Sequence, residues 1–274
     1  MMRHCLCILL LAAPCILPAQ VFMQAFDNAA ALALGGATVA FPGTGVGLSN
    51  DAIPGLGEKY GVYLGSSLPY GIGGWQTGQL QGFVQLSAND GLGLEVLHSS
   101  VDAYGEQRVR LVYGRRLGQK FLFGGSGDLL HVRAREYGSA TTFNFGLSVL
   151  TNPIPALWLG ARLQNPLQLE LGDAVIPSVF RLGAAWKAGP AFMALAEVEK
   201  DLERPAQLKA GLEYRPVTLL VLRLGARSEP ARVSFGAGVR LKNGLQLDTG
   251  AEWHPVLGLT PALMLTWRKG TPKS

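Results

Sequence analysis

Residues 208–227 alternate apolar and polar side chains twice in succession, and this pattern restricts the chain more than any other stretch. In the first arm Leu208, Ala210, Leu212 and Tyr214 share one face, with Lys209, Gly211, Glu213 and Arg215 on the other. In the second, Leu220, Leu222, Leu224 and Ala226 oppose Val221, Arg223, Gly225 and Arg227. A period of two over seven or more residues is that of a strand, and the link at Arg215-Pro216 predicts a hairpin turn. One face is almost wholly apolar and the other charged or glycine. Such a strand suits lipid on one side and a polar, wet interior on the other.

The pattern recurs through the chain. Segments of about ten residues are expected at 60–68, 80–88, 92–101, 108–117, 121–130, 141–150, 157–164, 179–187, 191–199, 208–214, 219–227, 232–242, 245–254 and 257–267. About fourteen strands of that length match the even count and reach of a membrane barrel. Tyr113, Trp186, Tyr214, Trp253 and Trp267 fall near strand ends, where aromatic girdles sit. A soluble sandwich also alternates, but it would have to bury all these apolar faces in one small core. The predicted fold class is therefore all-β: a transmembrane antiparallel β-barrel over residues 58–268, a plug at 20–57 and a tail at 269–274. Alternation breaks at Gly124-Gly125, which predicts a bulge there.

Composition agrees. Of 274 residues 36 are glycine, 16% are charged, and mean hydropathy is +0.22, although no apolar run is long enough for a membrane helix. The net charge of +5 is spread out, so no nucleic-acid surface is expected. Arg3 and His4 precede the apolar stretch 6–16, and Leu17-Pro18-Ala19 ends in a small residue. Residues 1–19 thus read as a secretory signal peptide cleaved after Ala19. Cys5, Cys7 and Cys15 all lie inside it, and Pro14 stands where a lipoprotein site needs a small residue. The exported chain is expected to carry no cysteine chemistry.

Residues 20–57 differ from the rest, being rich in Gly and Ala with little alternation. A short helix is expected at 29–34, ended by Gly35-Gly36. Gly43, Gly45 and Gly47 are spaced like a phosphate loop, but no Lys-Ser/Thr follows them. The inward faces of the strands would carry Arg108, Arg110, Arg162, Arg181, Lys187, Lys209, Arg223, Arg227, Arg232 and Arg240. Facing them would be Glu95, Glu197, Glu199, Glu213, Asp248 and Glu252. A barrel this wide cannot be filled by side chains alone, since about eight strands reach that limit, so residues 20–57 are the natural plug. The charges then hold it, line a narrow wet path, or satisfy one another.

No enzyme, metal or cofactor signature is found. Gly124-Gly125-Ser126-Gly127 lacks the last glycine of a nucleophile elbow. His98, His131 and His254 have no metal spacing and are expected in the lumen or loops. Glu197 and Glu199 share a face, as acid-base chemistry would require, but arginine-bearing neighbours point to ion pairing.

Several stretches carry a family likeness. Leu34-Gly35-Gly36-Ala37-Thr38-Val39-Ala40 and Ser49-Asn50-Asp51-Ala52-Ile53-Pro54-Gly55-Leu56 resemble the glycine-rich opening and Asn-Pro-Ala-Gly-Leu-like motif of FadL-type outer-membrane barrels. Here Asp51 replaces the usual proline and Ile53-Pro54 is inserted. Residues 159–166 (Leu-Gly-Ala-Arg-Leu-Gln-Asn-Pro), 197–200, 211–214, 222–225, 234–238 and 254–258 are similar to later strands of the PorV/PorQ-like branch of Bacteroidetes-type bacteria. The resemblance implies a fourteen-stranded barrel in a Gram-negative outer membrane, with a hatch containing Gly35, Gly36, Asn50, Asp51, Pro54 and Gly55. It implies an accessory or scaffold role in type IX secretion, with a translocon or secreted cargo as partner besides membrane lipid. The short loops and polar lumen favour that role. The alternative is FadL-like uptake of fatty acids or other hydrophobic compounds through a wall gap, sought first at residues 124–126.

Overall fold

The computed structural model describes residues 21–22, 28–172 and 174–269, so the expected signal peptide and all of the tail except Lys269 lie outside the described residues. Fourteen antiparallel strands close into a barrel. In order these are β1 (Tyr60–Ser67), β2 (Gln76–Gln85), β3 (Asp90–Val101), β4 (Tyr104–Leu117), β5 (Phe121–Ala134), β6 (Gly138–Ile154) and β7 (Leu157–Gln164). After a small hairpin, β8 (Glu170–Leu171) and β9 (Ala174–Val175), follow β10 (Val179–Lys187), β11 (Phe192–Asp201), β12 (Gln207–Val217) and β13 (Leu220–Arg227). The wall ends with β14 (Arg232–Arg240), β15 (Leu245–His254) and β16 (Gly258–Lys269). Closure comes from β1 on β16, from Tyr60 opposite Lys269 to Ser67 opposite Ala262, which leaves no barrel edge unpaired.

The alternation read from the sequence becomes an inside-out distribution. Leu208, Phe143 and Leu224 stand on the outer surface 61%, 57% and 60% exposed, while Glu95, Glu213 and Asp248 are 2%, 1% and 0% exposed inside. Exposed aliphatics over buried charges would be unstable in water and are stable with lipid outside and polar partners within. No helix among the described residues is long and apolar enough to cross a membrane. Tyr113, Trp186, Tyr214, Trp253 and Trp267 all lie on the exposed face near strand ends.

Three expectations need correction. The 208–227 hairpin does not turn at Arg215-Pro216. Strand β12 runs on to Val217, with a register shift between Tyr214 and Val217 that absorbs Pro216, which has no N–H for the ladder. No bulge occurs at Gly124-Gly125: Gly124 pairs with Gly114 and Ser148, and Gly125 with Tyr113 and Leu147, so the wall has no gap there. The other shift lies between Thr151 and Ile154 of β6. His98 and His131 sit on outward positions of β3 and β5, and only His254 lies at a loop.

The two rims differ. Where β1 begins and β16 ends, connections run from two residues (155–156, 218–219) to four (86–89, 188–191, 241–244). The opposite rim has longer connections at 68–75 and 165–178, the latter carrying β8 and β9. Short turns mark the periplasmic rim of such barrels and longer loops the outer one.

Candidate functional site

Residues 28–57 run through the lumen. Helix α1 (Ala29–Ala33) is fully buried, and the Asn28 side chain caps it by accepting from the Ala31 N–H at 3.0 Å. Gly35 and Gly36 end it at φ +63° and +73°, a conformation costly to any residue with a Cβ. Helix α1 packs on β13–β16 and β1, while the short turn Ile53–Leu56 packs on β2–β5, so the segment reaches from wall to wall. Val46, Leu48, Ala52 and Ile53 form its apolar interior with Val112, Leu122 and Leu150 of the wall.

A belt of inward glycines makes room for this backbone. Gly91, Gly114 and Gly124 are direct cross-strand neighbours, as are Gly160 with Gly183, Gly211 with Gly225, and Gly236 with Gly250. A Cβ on Gly124 would overlap the backbone of Asp51 and Ala52, one on Gly160 that of Val39, and one on Gly225 that of Leu34 and Gly35. Two serines continue the belt. Ser148, opposite Gly124, hydrogen-bonds Asp51 Oδ2 at 2.8 Å, and Ser234, opposite Gly225, accepts the Gly35 N–H at 3.0 Å.

Charged side chains complete the attachment. Glu197 Oε2 accepts the N–H groups of Thr38 and Val39, both at 2.8 Å, and Arg181 donates to the Gly36 carbonyl at 2.9 Å. Asp51, wholly buried, faces Arg162 Nε at 3.3 Å and Arg110 Nη2 at 3.8 Å. Burial alone would raise its carboxyl, but Arg162, Arg110 and the Ser148 hydroxyl outweigh that and hold it below the usual carboxylate range. Arg110 also donates to the Leu48 carbonyl, and Asn50 Nδ2 donates to the Val39 carbonyl at 2.8 Å. Pro54 and Gly55 lie against Gly91 and Gly114. At the periplasmic end Tyr63 donates to the Thr44 carbonyl at 2.7 Å, and Thr44 donates to Glu58 at 2.6 Å.

Most of the remaining inward charges pair with one another. Arg223 bridges Glu213 at 2.9 Å and Asp248 at 2.5 Å, Lys209 meets Glu199 at 2.6 Å, and Glu252 lies between Arg227 and Arg232 at 2.9 Å each. Arg240 shares this face near the periplasmic rim, its Nε without a hydrogen-bond partner among the described residues. Glu197 and Glu199 thus serve attachment and ion pairing. Among the described residues no group of three His, Cys, Asp or Glu is placed to hold a metal.

Two cavities adjoin the belt. On the outer-loop side of the lumen segment lies a vestibule of about 510 Å³, lined by Leu48, Ser49, Glu95, Arg108, Arg110 and Arg162 below and by Ile176, Pro177, Val179, Arg204, Pro205 and Gln207 above. On the membrane-facing wall a groove of about 560 Å³ runs over Tyr113, Phe123, Gly125, Leu147, Leu163 and Phe180. Arg162 lines both, and between them the wall is fully paired, with the Asp51–Ala52 backbone directly behind Gly124. The belt and the groove were not foreseen from the sequence. Their signal was an inward glycine on most strands, visible only once the strands are aligned by their pairing.

No family profile matches this chain, and no curated protein matches it in sequence. Solved structures do resemble it. The toluene transporter TodX of Pseudomonas putida superposes with a TM-score of 0.66 at 12% identity, covering 90% of this chain and 98% of that one. The toluene transporter TbuX of Ralstonia pickettii gives 0.67 at 11%, covering 89% and 98%. A FadL homologue of Pseudomonas aeruginosa gives 0.67 at 12%, covering 90% and 99%. At these identities the likeness is one of fold: a closed fourteen-stranded barrel of the FadL type.

Proposed function

We propose that this protein is an outer-membrane channel that takes up small hydrophobic or amphipathic compounds, with residues 28–57 as its hatch. The observation that carries this reading is Arg162, which lines both the vestibule and the apolar outer groove on the other side of the wall. A solute entering from the loop rim meets a hatch attached at Asp51, Glu197 and Arg181, and the shortest way past it is sideways into the membrane. The transporters that share the fold support the same reading. The vestibule is more charged than a hydrocarbon needs, which extends the expected solutes to amphipathic ones.

The test is uptake of a monoaromatic probe by cells producing the protein, against cells with Gly125→Phe. A Cβ at position 125 meets only ordinary contacts with Gly146 and Leu147, so the substitution fills the groove without touching the hatch. Uptake above that of empty cells, lost in the variant, is expected. Wild-type uptake no greater than in empty cells would refute the channel.

The accessory role in type IX secretion stands second. It rests on residues 159–166, 211–214 and 222–225 resembling that branch, whereas the structural relatives include two toluene transporters. Affinity purification from outer membranes in mild detergent separates the two: recovery of a stoichiometric translocon or cargo protein would reverse their order.

A further inference from the structure

The outer groove has a built polar end. Its lining follows two outward rows of the pairing register: Arg115, Phe123, Val149 and Ala161 in one, and Tyr113, Gly125, Leu147, Leu163 and Phe180 in the next. From β4 to β10 it crosses four strand spacings, about 19 Å, comparable with the roughly 15 Å depth of one lipid leaflet. The hollow exists because Gly125 and Ala161 interrupt large apolar neighbours.

Arg115 stands near the periplasmic end of the groove, with Leu117 beyond it where β4 finishes. Its direct cross-strand neighbour is Asp90, the first residue of β3, on the same outward face. Such neighbours hold their Cβ atoms about 5 Å apart. Yet the two side chains form no ion pair with each other, and among the described residues neither side chain has another partner. An apolar groove with one cation in its lining near one end and one anion beside it on the next strand, unpaired with each other, is complementary to a zwitterionic headgroup. The surrounding rim agrees in charge, since Lys59, Lys120, Lys187, Lys242 and Lys269 are exposed there and attract phosphate.

We infer that this groove binds a phosphatidylethanolamine of the periplasmic leaflet. Its phosphate lies on Arg115, its ammonium on Asp90, and one acyl chain lies over Gly125 and Ala161. The site does not depend on the uptake reading, and a solute leaving sideways would have to displace the chain.

The experiment is native mass spectrometry of the detergent-solubilised full chain titrated with phosphatidylethanolamine or phosphatidylglycerol. The wild type is expected to retain the first at least fivefold better. Asp90→Asn should abolish that preference, Arg115→Gln should weaken retention of both lipids, and Gly125→Phe should abolish retention. Ala161→Leu, which narrows the same groove, replaces Gly125→Phe if that variant does not fold. Equal retention of the two lipids by the wild type overturns the inference, as does an unchanged preference in Asp90→Asn or unchanged retention in Arg115→Gln. Loss of aromatic uptake has no bearing on these outcomes, so failure here and failure of the channel are separable.

Discussion

The lumen wall has two sectors that treat their charges differently. In β12–β15, Glu213, Arg223 and Asp248 form a chain of short contacts at 2.5–2.9 Å, and Glu252 bridges two arginines at 2.9 Å. In β3–β7 the contacts to Asp51 are longer, 3.3 Å and 3.8 Å, and several buried atoms have no hydrogen-bond partner among the described residues. These include Arg110 Nε, Arg162 Nη2 and both oxygens of Asp128, although Asp128 stands directly between Arg110 and Asn144 in register. Buried polar groups are normally satisfied. Unpartnered atoms occur among the described residues of the first sector too, Arg232 Nε and Arg240 Nε among them, and in the second Arg108 meets Glu95 at 2.6 Å. The difference therefore lies at the anchor: the longer contacts of Asp51 can be rearranged at lower cost than the Glu213–Arg223–Asp248 chain. The first sector reads as a brace, and the second, which also carries the vestibule and the outer groove, as the part that yields.

The strongest way to break this contrast is Asp51→Ala. It leaves Arg110 and Arg162 buried without their carboxylate, at a cost of about 3–5 kcal/mol. Single-channel conductance in planar bilayers should rise because the hatch loses its Asp51 anchor to Arg110, Ser148 and Arg162. Glu213→Ala, in the brace, leaves Arg223 with Asp248 alone and should cost roughly 1–3 kcal/mol in unfolding experiments, with conductance unchanged. If Glu213→Ala opens the lumen as Asp51→Ala does, the two sectors are not distinct.

Smaller changes sharpen the comparison. Glu197→Gln keeps an acceptor for Thr38 and Val39 but removes its charge. The expected loss is about 1–2 kcal/mol, seen as earlier proteolysis of residues 28–57 while the barrel persists. The pH dependence follows from Asp51. Its folded value is lowered, so its contribution is present above the unfolded value of about 4 and is lost as pH falls through the lower folded value. Conductance at pH 5 should therefore match that at pH 7 and rise only well below pH 4. The smallest effect is expected of Asn28→Ala, which removes the cap of α1 for about 1 kcal/mol and should be read in hydrogen exchange of residues 29–33.

Much of the fold was legible in the residues. The period of two assigned nearly every side chain of β12 and β13 to its face, and strands 157–164, 179–187 and 245–254 were placed at their observed bounds. The turn at 215–216 was misplaced because Pro216 reads as punctuation, although a register shift lets the strand continue past it. Gly124-Gly125 was read as a break in the strand, whereas Gly124 is where the lumen backbone touches the wall.

The sequence by itself determined the faces of the strands, and through them a barrel that is apolar outside and charged within, because alternation is a local property of neighbouring residues. Which charge meets which was decided only by the tertiary structure. Gly35 donates to Ser234 across 199 positions and Thr38 to Glu197 across 159. A shift of one residue in register would turn each such side chain to the other face, and no short stretch of sequence encodes the pairing that prevents it. The same holds for the groove, where Arg115, Gly125, Ala161 and Phe180 lie on four different strands and become one surface only when the wall closes.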